Sequence, residues 1–224
     1  MRRSIVCLAL LCFCILSFHA NAEEKKSFWA KSSDVIVIDG DTLFVQGKVV
    51  QLTGIDAPEI GQQCDHNGHL WSCGMTAALD LHKSLAMARL SQLHCWVNGK
   101  TSVWVSATCY VEEKDLAAAM LGAGTVEIDR VGSPYYRSLM QSAKEGDFGL
   151  WGSTFEQPDK WAEKARFSED KSACIVKAGK TKKGKKVFTT PLMPTYKKFK
   201  ATRMFCSDED ALLADYVPLI KMSK

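Results

Sequence analysis

The stretch at residues 34–60, DVIVIDGDTLFVQGKVVQLTGIDAPEI, constrains the fold more tightly than any other part of the chain. Val35, Ile36, Val37 and Ile38 form an apolar, β-branched run, Asp39-Gly40-Asp41-Thr42 bends it, and residues 43–45 and 48–52 read as a hairpin turning at Gln46-Gly47. The stretch closes with Gly54-Ile55-Asp56-Ala57-Pro58-Glu59. Asp41 stands at one end of the hairpin and Asp56 just past the other, so closing the hairpin can bring two carboxylates together. Oxygen ligands of that kind suit a hard cation such as Ca2+. Asp-Gly and Asp-Ala-Pro are also ordinary turn sequences, so the pair gains meaning only from the rest of the chain.

Length sets the frame: 224 residues suggest one domain with extensions, or at most two small domains. The first residues fall outside that fold. Met1-Arg2-Arg3 is a charged start, residues 5–18 are apolar, and Ala20-Asn21-Ala22 is an Ala-x-Ala cleavage sequence. Together they read as a Sec-type leader cut after Ala22. Its apolar core is shorter than the roughly 18 to 20 residues that comfortably span a bilayer. Cys7, Cys12 and Cys14 belong to the leader, and six cysteines remain in the mature chain. An even number in an exported protein favours disulfides over metal thiolates. Fifteen pairings are available to six cysteines; proximity in sequence suggests Cys64 with Cys73, Cys95 with Cys109, and Cys174 with Cys206. Removing Arg2 and Arg3 lowers the formal net charge from +4 to +2, a mildly basic balance that argues only weakly for a polyanionic partner. The expected compartment is the periplasm or the exterior.

Residues 23–31 are a polar start whose Phe28 and Trp29 can dock on the body. Residues 59–71 have no clean period and read as a loop pinned by Cys64 and Cys73, with His66 and His69 facing solvent. Residues 74–93 carry good helix formers with an apolar stripe at three- and four-residue spacing. A strand pair at residues 93–97 and 102–111 follows, turning at Asn98-Gly99-Lys100 and putting Cys95 opposite Cys109. Residues 114–122 form a short helix, 125–128 a strand and 135–145 a third helix, after which Phe155, Pro158 and Trp161 read as a packing clasp. The stretch 177–186, KAGKTKKGKK, holds six lysines and no acid, the pattern of a solvated hairpin tip that can also meet phosphate or an anionic polysaccharide. Residues 187–193 suit a strand, and Cys206-Ser207-Asp208-Glu209-Asp210 opens a helix running to about Tyr216.

The string VIVIDGDTLFVQGKVVQLTGIDAPE resembles the opening of the staphylococcal-type thermonuclease family. CGMTAALDLHKSLA is similar to that family's first helix, ATCYVEEKDLAAAMLGAG to a later strand and second helix, and YYRSLMQSAKEGDFGLW to its third helix. FEQPDKW, the spaced Cys174 and Cys206, YKKF and FCSDEDA resemble the tail of secreted proteobacterial members. The resemblance implies a mainly β fold with α: an OB-fold-type five-stranded barrel with about three helices, plus a small disulfide-linked C-terminal extension. The division it implies is leader 1–22, N-terminal extension 23–33, thermonuclease-like domain 34–161 and basic C-terminal extension 162–224.

It also implies a calcium-dependent phosphodiesterase site, with Asp41, Asp56 and the backbone carbonyl of Ala57 holding Ca2+, Glu59 acting on the attacking water, and Asp39 at the mouth. The chemistry agrees, since phosphodiester cleavage needs a cation to gather negative charge and an acceptor to orient water. Two arginines complete the family pattern by clamping the phosphate, and here Gln51 and Trp104 stand in their places. No arginine occurs between Arg89 and Arg130; Lys100 is the nearest cation, and lysine lacks the bidentate guanidinium fork. Loss of one such donor costs roughly 3 to 4 kcal/mol of transition-state stabilisation. The expectation is therefore a degenerate or weak Ca2+-dependent phosphodiesterase acting on nucleic acid, with Lys100, Lys182 and Lys183 as candidate substrate contacts. The alternative is a non-catalytic protein that binds a polyanion or another protein in connection with exopolysaccharide biosynthesis, the context in which some rhizobial relatives are found.

Overall fold

Leu43, Val45, Val50 and Leu52, the inward positions of the expected hairpin, are all buried at the centre of the main sheet. In this computed structural model, which describes residues 26–221, the hairpin is β3 (Thr42–Val45) and β4 (Lys48–Leu52). Gln46 and Gly47 both take left-handed backbone angles between them, φ 49° and 81°, as a two-residue turn between twisted strands requires. The expected leader lies outside the described residues.

The main sheet runs β1 (Ser27–Lys31), β8 (Gln92–Lys100), β9 (Val105–Val111), β4, β3, β2 (Ile36–Val37), with β10 (Lys114–Asp115) added to β9. All contacts are antiparallel except the β4–β9 pairing. The path ends at β1 and β2 and does not close, so among the described residues the expected five-stranded barrel is absent as a continuous ladder. The residues expected only to dock, Ser27–Lys31, occupy the outer edge of β8 as a full strand. The two-residue β2 is the opposite edge. β5 (Ile55–Asp56) leaves the sheet to pair with β11 (Glu127–Ile128).

Asn98-Gly99 produces a bulge rather than the expected turn. The β8–β9 register slips between Val97 and Gly99, and the chain reverses over residues 101–104. There the Thr101 hydroxyl accepts from the Val103 and Trp104 amides at 3.2 and 3.0 Å. Asn98 is held instead by the Thr53 and Thr108 hydroxyls, at 3.1 and 2.7 Å.

Helix α1 (Cys73–Met87) buries Ala77, Ala78, Leu81 and Leu85 against the sheet. It stops before the expected Leu93 because its apolar stripe runs out: Met87 and Leu90 are 83% and 94% exposed, so nothing holds a further turn. Asp115 caps α2 (Leu116–Ala123) and Ser133 caps α3 (Pro134–Glu145), each accepting from a first-turn amide. The expected clasp at Phe155, Pro158 and Trp161 is partly a helix, α4 (Pro158–Phe167), with proline at its first turn. The loop before α1 contains the small hairpin β6 (Cys64–His66) and β7 (His69–Trp71).

The C-terminal residues form a second sheet ordered β14 (Arg203–Phe205), β12 (Val176–Lys180), β13 (Lys186–Thr189), β15 (Val217–Pro218), with α5 (Asp208–Leu213) after β14. Helix α5 is shorter than expected, ending where Asp215 takes a left-handed φ of 64°. Val176, Ala178, Phe188, Phe205, Ala211 and Leu212 share one buried cluster with the hairpin and α1 residues. The three disulfides are Cys64–Cys73, Cys95–Cys109 and Cys174–Cys206, the pairs that sequence proximity suggests. Among the described residues no helix is long and apolar enough to cross a membrane.

Candidate metal centre

Asp39 and Asp41 lie in the bend between β2 and β3, where the Ile38 and Asp39 amides both donate to the Thr42 carbonyl, at 2.9 and 3.2 Å. The bend is pressed into the protein: a Cβ on Gly40 would stand 2.6 Å from the Ala57 Cβ and 2.9 Å from that of Ala77. Asp39 accepts from the Gly40 amide and from the Ile60 amide, the latter at 3.1 Å. Asp41 accepts from the Ala57 amide at 3.0 Å and the Thr42 hydroxyl at 2.9 Å. The two halves of the opening motif are thus fastened together through their carboxylates.

Glu59 is set by the loop into α1. A Cβ on Gly74 would fall 1.7 Å from the Glu59 carbonyl oxygen, so only glycine lets the helix start so close. Gln62, fully buried, accepts from the Glu59 amide at 3.2 Å and donates to the Glu156 carbonyl at 2.7 Å. The Cys64–Cys73 bond closes this loop.

A pocket of about 30 Å3 opens among these groups, lined on one side by Asp39, Asp41, Asp56, Ala57 and Glu59 and on another by Gln51 and Trp104. That is room for an ion or one or two waters at the pocket floor. The third side comes from the C-terminal extension, where Asp208, Glu209 and Leu212 of α5 face into the pocket. Asp208 is 5% exposed, against 3% for Asp39 and 8% for Asp41. Carboxylate oxygens of Asp39, Glu59 and Asp208 lie within 4.8 Å of one another. Two ties hold α5 here: Cys206 is bonded to Cys174, and the buried Thr190 hydroxyl donates to the Ile38 carbonyl at 2.6 Å, one residue before Asp39.

Six carboxylates face one small space, and among the described residues neither lysine nor arginine lines it. Arg166 pairs with Asp210, the next acid along α5, at 2.6 Å. Burial pushes Asp41 up to about 6, opposed by its amide and hydroxyl donors. Burial and then the Asp41 charge push Asp56 up to about 8. Burial, followed by the Asp41 and Glu209 charges, takes Asp208 to about 8. Asp39 and Glu59 are raised well above the carboxylate range, by burial first and then by neighbouring acids. Among the described residues these groups are held close with no cationic side chain lining the space. A hard cation with oxygen ligands is the complement such a donor set fits.

Asp39, Asp41, Asp56, Ala57, Glu59, Gln51 and Trp104 thus line one pocket together. Lys100, Lys182 and Lys183 do not line the pocket. Lys100 borders a separate groove of about 570 Å3 together with Trp104 and Lys185. Lys182 and Lys183 are exposed in the β12–β13 connection. Two of the six clustered lysines serve the fold: Lys177 donates to the Tyr196 carbonyl at 3.1 Å, and Lys186 to that of Ala214 at 3.1 Å. Asp208, Glu209 and Gln62 were not singled out from the sequence as site residues. Acids opening a helix are explained locally by the helix dipole, and nothing in FCSDEDA points toward residues 39–59.

The chain is 32% identical over 117 residues to the succinoglycan biosynthesis protein ExoI of Rhizobium meliloti (strain 1021). The matched region is 51% of this chain and 61% of that protein, so the chain spans about three fifths of the curated relative it matches. No protein-family model matches the chain.

Proposed function

We propose that this chain is an exported, thermonuclease-like protein of exopolysaccharide biosynthesis, on an OB-type sheet left unclosed, that binds a divalent cation and has lost efficient nucleic-acid cleavage. The observation that carries this reading is the wall opposite the opening motif. Gln51 and Trp104 stand where the resemblance expects arginines, and Asp208 and Glu209 face the same space. A phosphodiester entering it would meet carboxylates in place of a guanidinium clamp, and like charges at close range repel strongly in a buried setting. The likeness to a protein named for succinoglycan biosynthesis supports the pathway. Three disulfides and the leader-like start support export to the periplasm or beyond. An anionic polymer, if it is the partner, meets the exposed Lys182 and Lys183 rather than the acidic pocket.

A second reading, weak Ca2+-dependent phosphodiesterase, is favoured by one observation: Asp41, Asp56 and Gln51 also border an open groove of about 490 Å3 on the side away from α5. Asp41 and Asp56 would there present Ca2+ to the groove, with the Ala57 carbonyl and Glu59 reaching the ion from the adjoining small pocket; the ion when bound supplies Lewis-acid polarisation of a phosphoryl oxygen. Glu59 would orient water, though its raised proton affinity opposes service as an acceptor near neutral pH.

The test is cleavage of denatured DNA by the exported protein with and without added Ca2+. The first reading expects no Ca2+-dependent cleavage above background. Cleavage that requires Ca2+ and disappears in Asp41→Asn would establish the second.

A further inference from the structure

We propose that the outer face of β1, β8 and β9 is a glycan-binding platform, on which Trp29 and Trp96 stack an uncharged hexopyranose while the Glu112-Glu113 turn accepts hydrogen bonds from its hydroxyls. The proposal names a ligand class for the pathway part of the function proposed above, and rests on that reading for the choice of a glycan.

The platform follows from strand alternation. Ala30, Leu93, Cys95, Cys109 and Val111 are buried in the core, so the alternate positions Trp29, His94, Trp96 and Tyr110 share the opposite face. His94 pairs with Trp29 on one side and with Tyr110 on the other. The Trp29 and His94 rings stack with centroids 3.9 Å apart and planes 1° from parallel, and Trp96 meets the His94 ring edge-on at 4.7 Å. His94 covers one face of the Trp29 indole, yet Trp29 is 55% exposed and Trp96 39%. Tryptophan is a large apolar side chain that ordinarily contributes by being buried. Packing within the described residues gives no reason for two of them to stand open side by side. Both border a cleft of about 560 Å3, inside the span of roughly 300 to 1,000 Å3 usual for small-ligand sites.

The rim is a second, independent observation. Ser91, Gln92, Tyr110, Glu112 and Glu113 bring hydroxyl, amide and carboxylate groups to the cleft, and among the described residues neither lysine nor arginine lines it. Glu112 and Glu113 form the turn between β9 and β10, both with left-handed backbone, φ 50° and 64°. Asparagine and glycine suit such a turn, whereas glutamate is strained in it. Strain retained at the mouth of a cleft is a mark of function. Glu112 accepts from the Ser91 hydroxyl at 2.5 Å, which fixes its carboxylate, and a carboxylate has further lone pairs to offer a ligand. In the same cleft His94 Nε2 is buried with no hydrogen-bond partner among the described residues.

Chemistry selects the ligand. A hexopyranose with equatorial hydroxyls presents a flat face of C–H bonds, which lies well on the electron-rich face of an indole, and a perimeter of hydroxyls that donate to carboxylates. Nucleic-acid strands also stack on aromatic rings, but they need a basic track for their phosphates; here those phosphates would meet two glutamates. An organic cation is held by rings that surround it as a cage, whereas the parallel Trp29 and His94 rings make a flat surface. The acidic rim repels uronates as it repels phosphates, which leaves uncharged sugar units as the ligand.

The test is calorimetry and tryptophan fluorescence on the purified full-length protein with cellotetraose, laminaritetraose, tetragalacturonate and a single-stranded oligonucleotide. The expected result is saturable binding of at least one of the two neutral tetrasaccharides and little binding of either anion. Affinity should fall by about tenfold or more in Trp29→Ala and in Trp96→Ala, as loss of a stacking ring does, and fall less in Trp29→Phe. It should be unchanged in Phe167→Ala, whose exposed ring is on α4 and does not line the cleft. Glu112→Gln combined with Glu113→Gln should narrow the gap between the neutral sugars and tetragalacturonate. Circular dichroism checks that each variant folds, and Trp96→Ala, in a strand flanked on both sides, keeps the test decisive if Trp29→Ala releases β1. Failure of both neutral sugars to bind, unchanged affinity in folded Trp96→Ala, or preference for either anion overturns the proposal. Exopolysaccharide yield after deletion of the gene tests the pathway separately: unchanged yield with saturable binding that needs Trp96 overturns the pathway and upholds the site.

Discussion

Asp208 and Glu59 are 149 residues apart in the chain, yet carboxylate oxygens of the two lie within 4.8 Å of each other with Asp39 beside them. Two acids brought together by different halves of a fold repel unless protons or a cation intervene. Their proximity governs how the protein should respond to pH, to calcium and to loss of the extension's fastening.

Stability should depend on pH in a defined direction. Asp56 and Asp208 rise to about 8 and Asp41 to about 6 in the folded chain, while unfolded aspartates titrate near ~4. A group whose folded value is raised favours the fold fully below its unfolded value, and that contribution is lost as pH climbs to the folded value. In chelator the unfolding temperature should therefore fall between about pH 4 and pH 8. Ca2+ should flatten that decline, as differential scanning calorimetry at several pH values can check. A stability that rises over the same window would mean that the acids are paired with cationic groups.

Cutting the extension's fastening should loosen the pocket before it unfolds the sheet. The Cys174–Cys206 bond closes a sequence separation of 32 residues, for which chain-entropy arguments assign about 3 to 4 kcal/mol. The double variant Cys174→Ser with Cys206→Ser should lose roughly that much stability in urea and show faster amide exchange in α5 than in β3 and β4. Equal exchange in the two regions would show that the extension's packing, not its disulfide, sets the position of α5.

Gly40 should tolerate no side chain. Gly40→Ala forces a methyl to 2.6 Å from the Ala57 Cβ, an overpacking that typically costs about 1 to 3 kcal/mol. The bend must then shift relative to Ala57, so the variant should also bind Ca2+ more weakly. Unchanged stability would indicate that the bend and the Ala57 segment separate without cost.

The exposed lysines should affect polymer binding and little else. Lys182→Ala with Lys183→Ala should change stability by less than about 0.5 kcal/mol, as surface substitutions usually do, and should reduce both the affinity for an anionic polysaccharide and its salt dependence. Affinity indifferent to salt would remove these residues from recognition.

Much of the first half of this site was legible in the sequence because it is local. One stretch of 27 residues contains Asp39, Asp41, Asp56 and Glu59, with an apolar alternation that fixes the hairpin and therefore which ends meet. The disulfides followed from proximity for the same reason. What escaped was set by distant packing. Asn98-Gly99 has the composition of a turn but became a bulge once Asn98 bonded the Thr53 and Thr108 hydroxyls. The helix at Pro158–Phe167 has a low apolar content and only Pro158 and Ala162 buried, so its periodicity was weak. Asp208 was read as the opening of a helix, which it is; its place beside Asp39 and Glu59 depends on where Cys174 and Thr190 hold that helix.

The central claim is that the acids of the opening motif are intact while the phosphate clamp is gone and its side of the pocket is occupied by the chain itself. Calcium binding and cleavage of a single-stranded oligonucleotide, followed in the same sample of purified protein, test it most directly. The account predicts saturable Ca2+ binding with the oligonucleotide left whole. Ca2+-dependent cleavage lost in Asp41→Asn would contradict it, because the pocket would then accept a phosphodiester despite Gln51, Trp104 and the acids of α5.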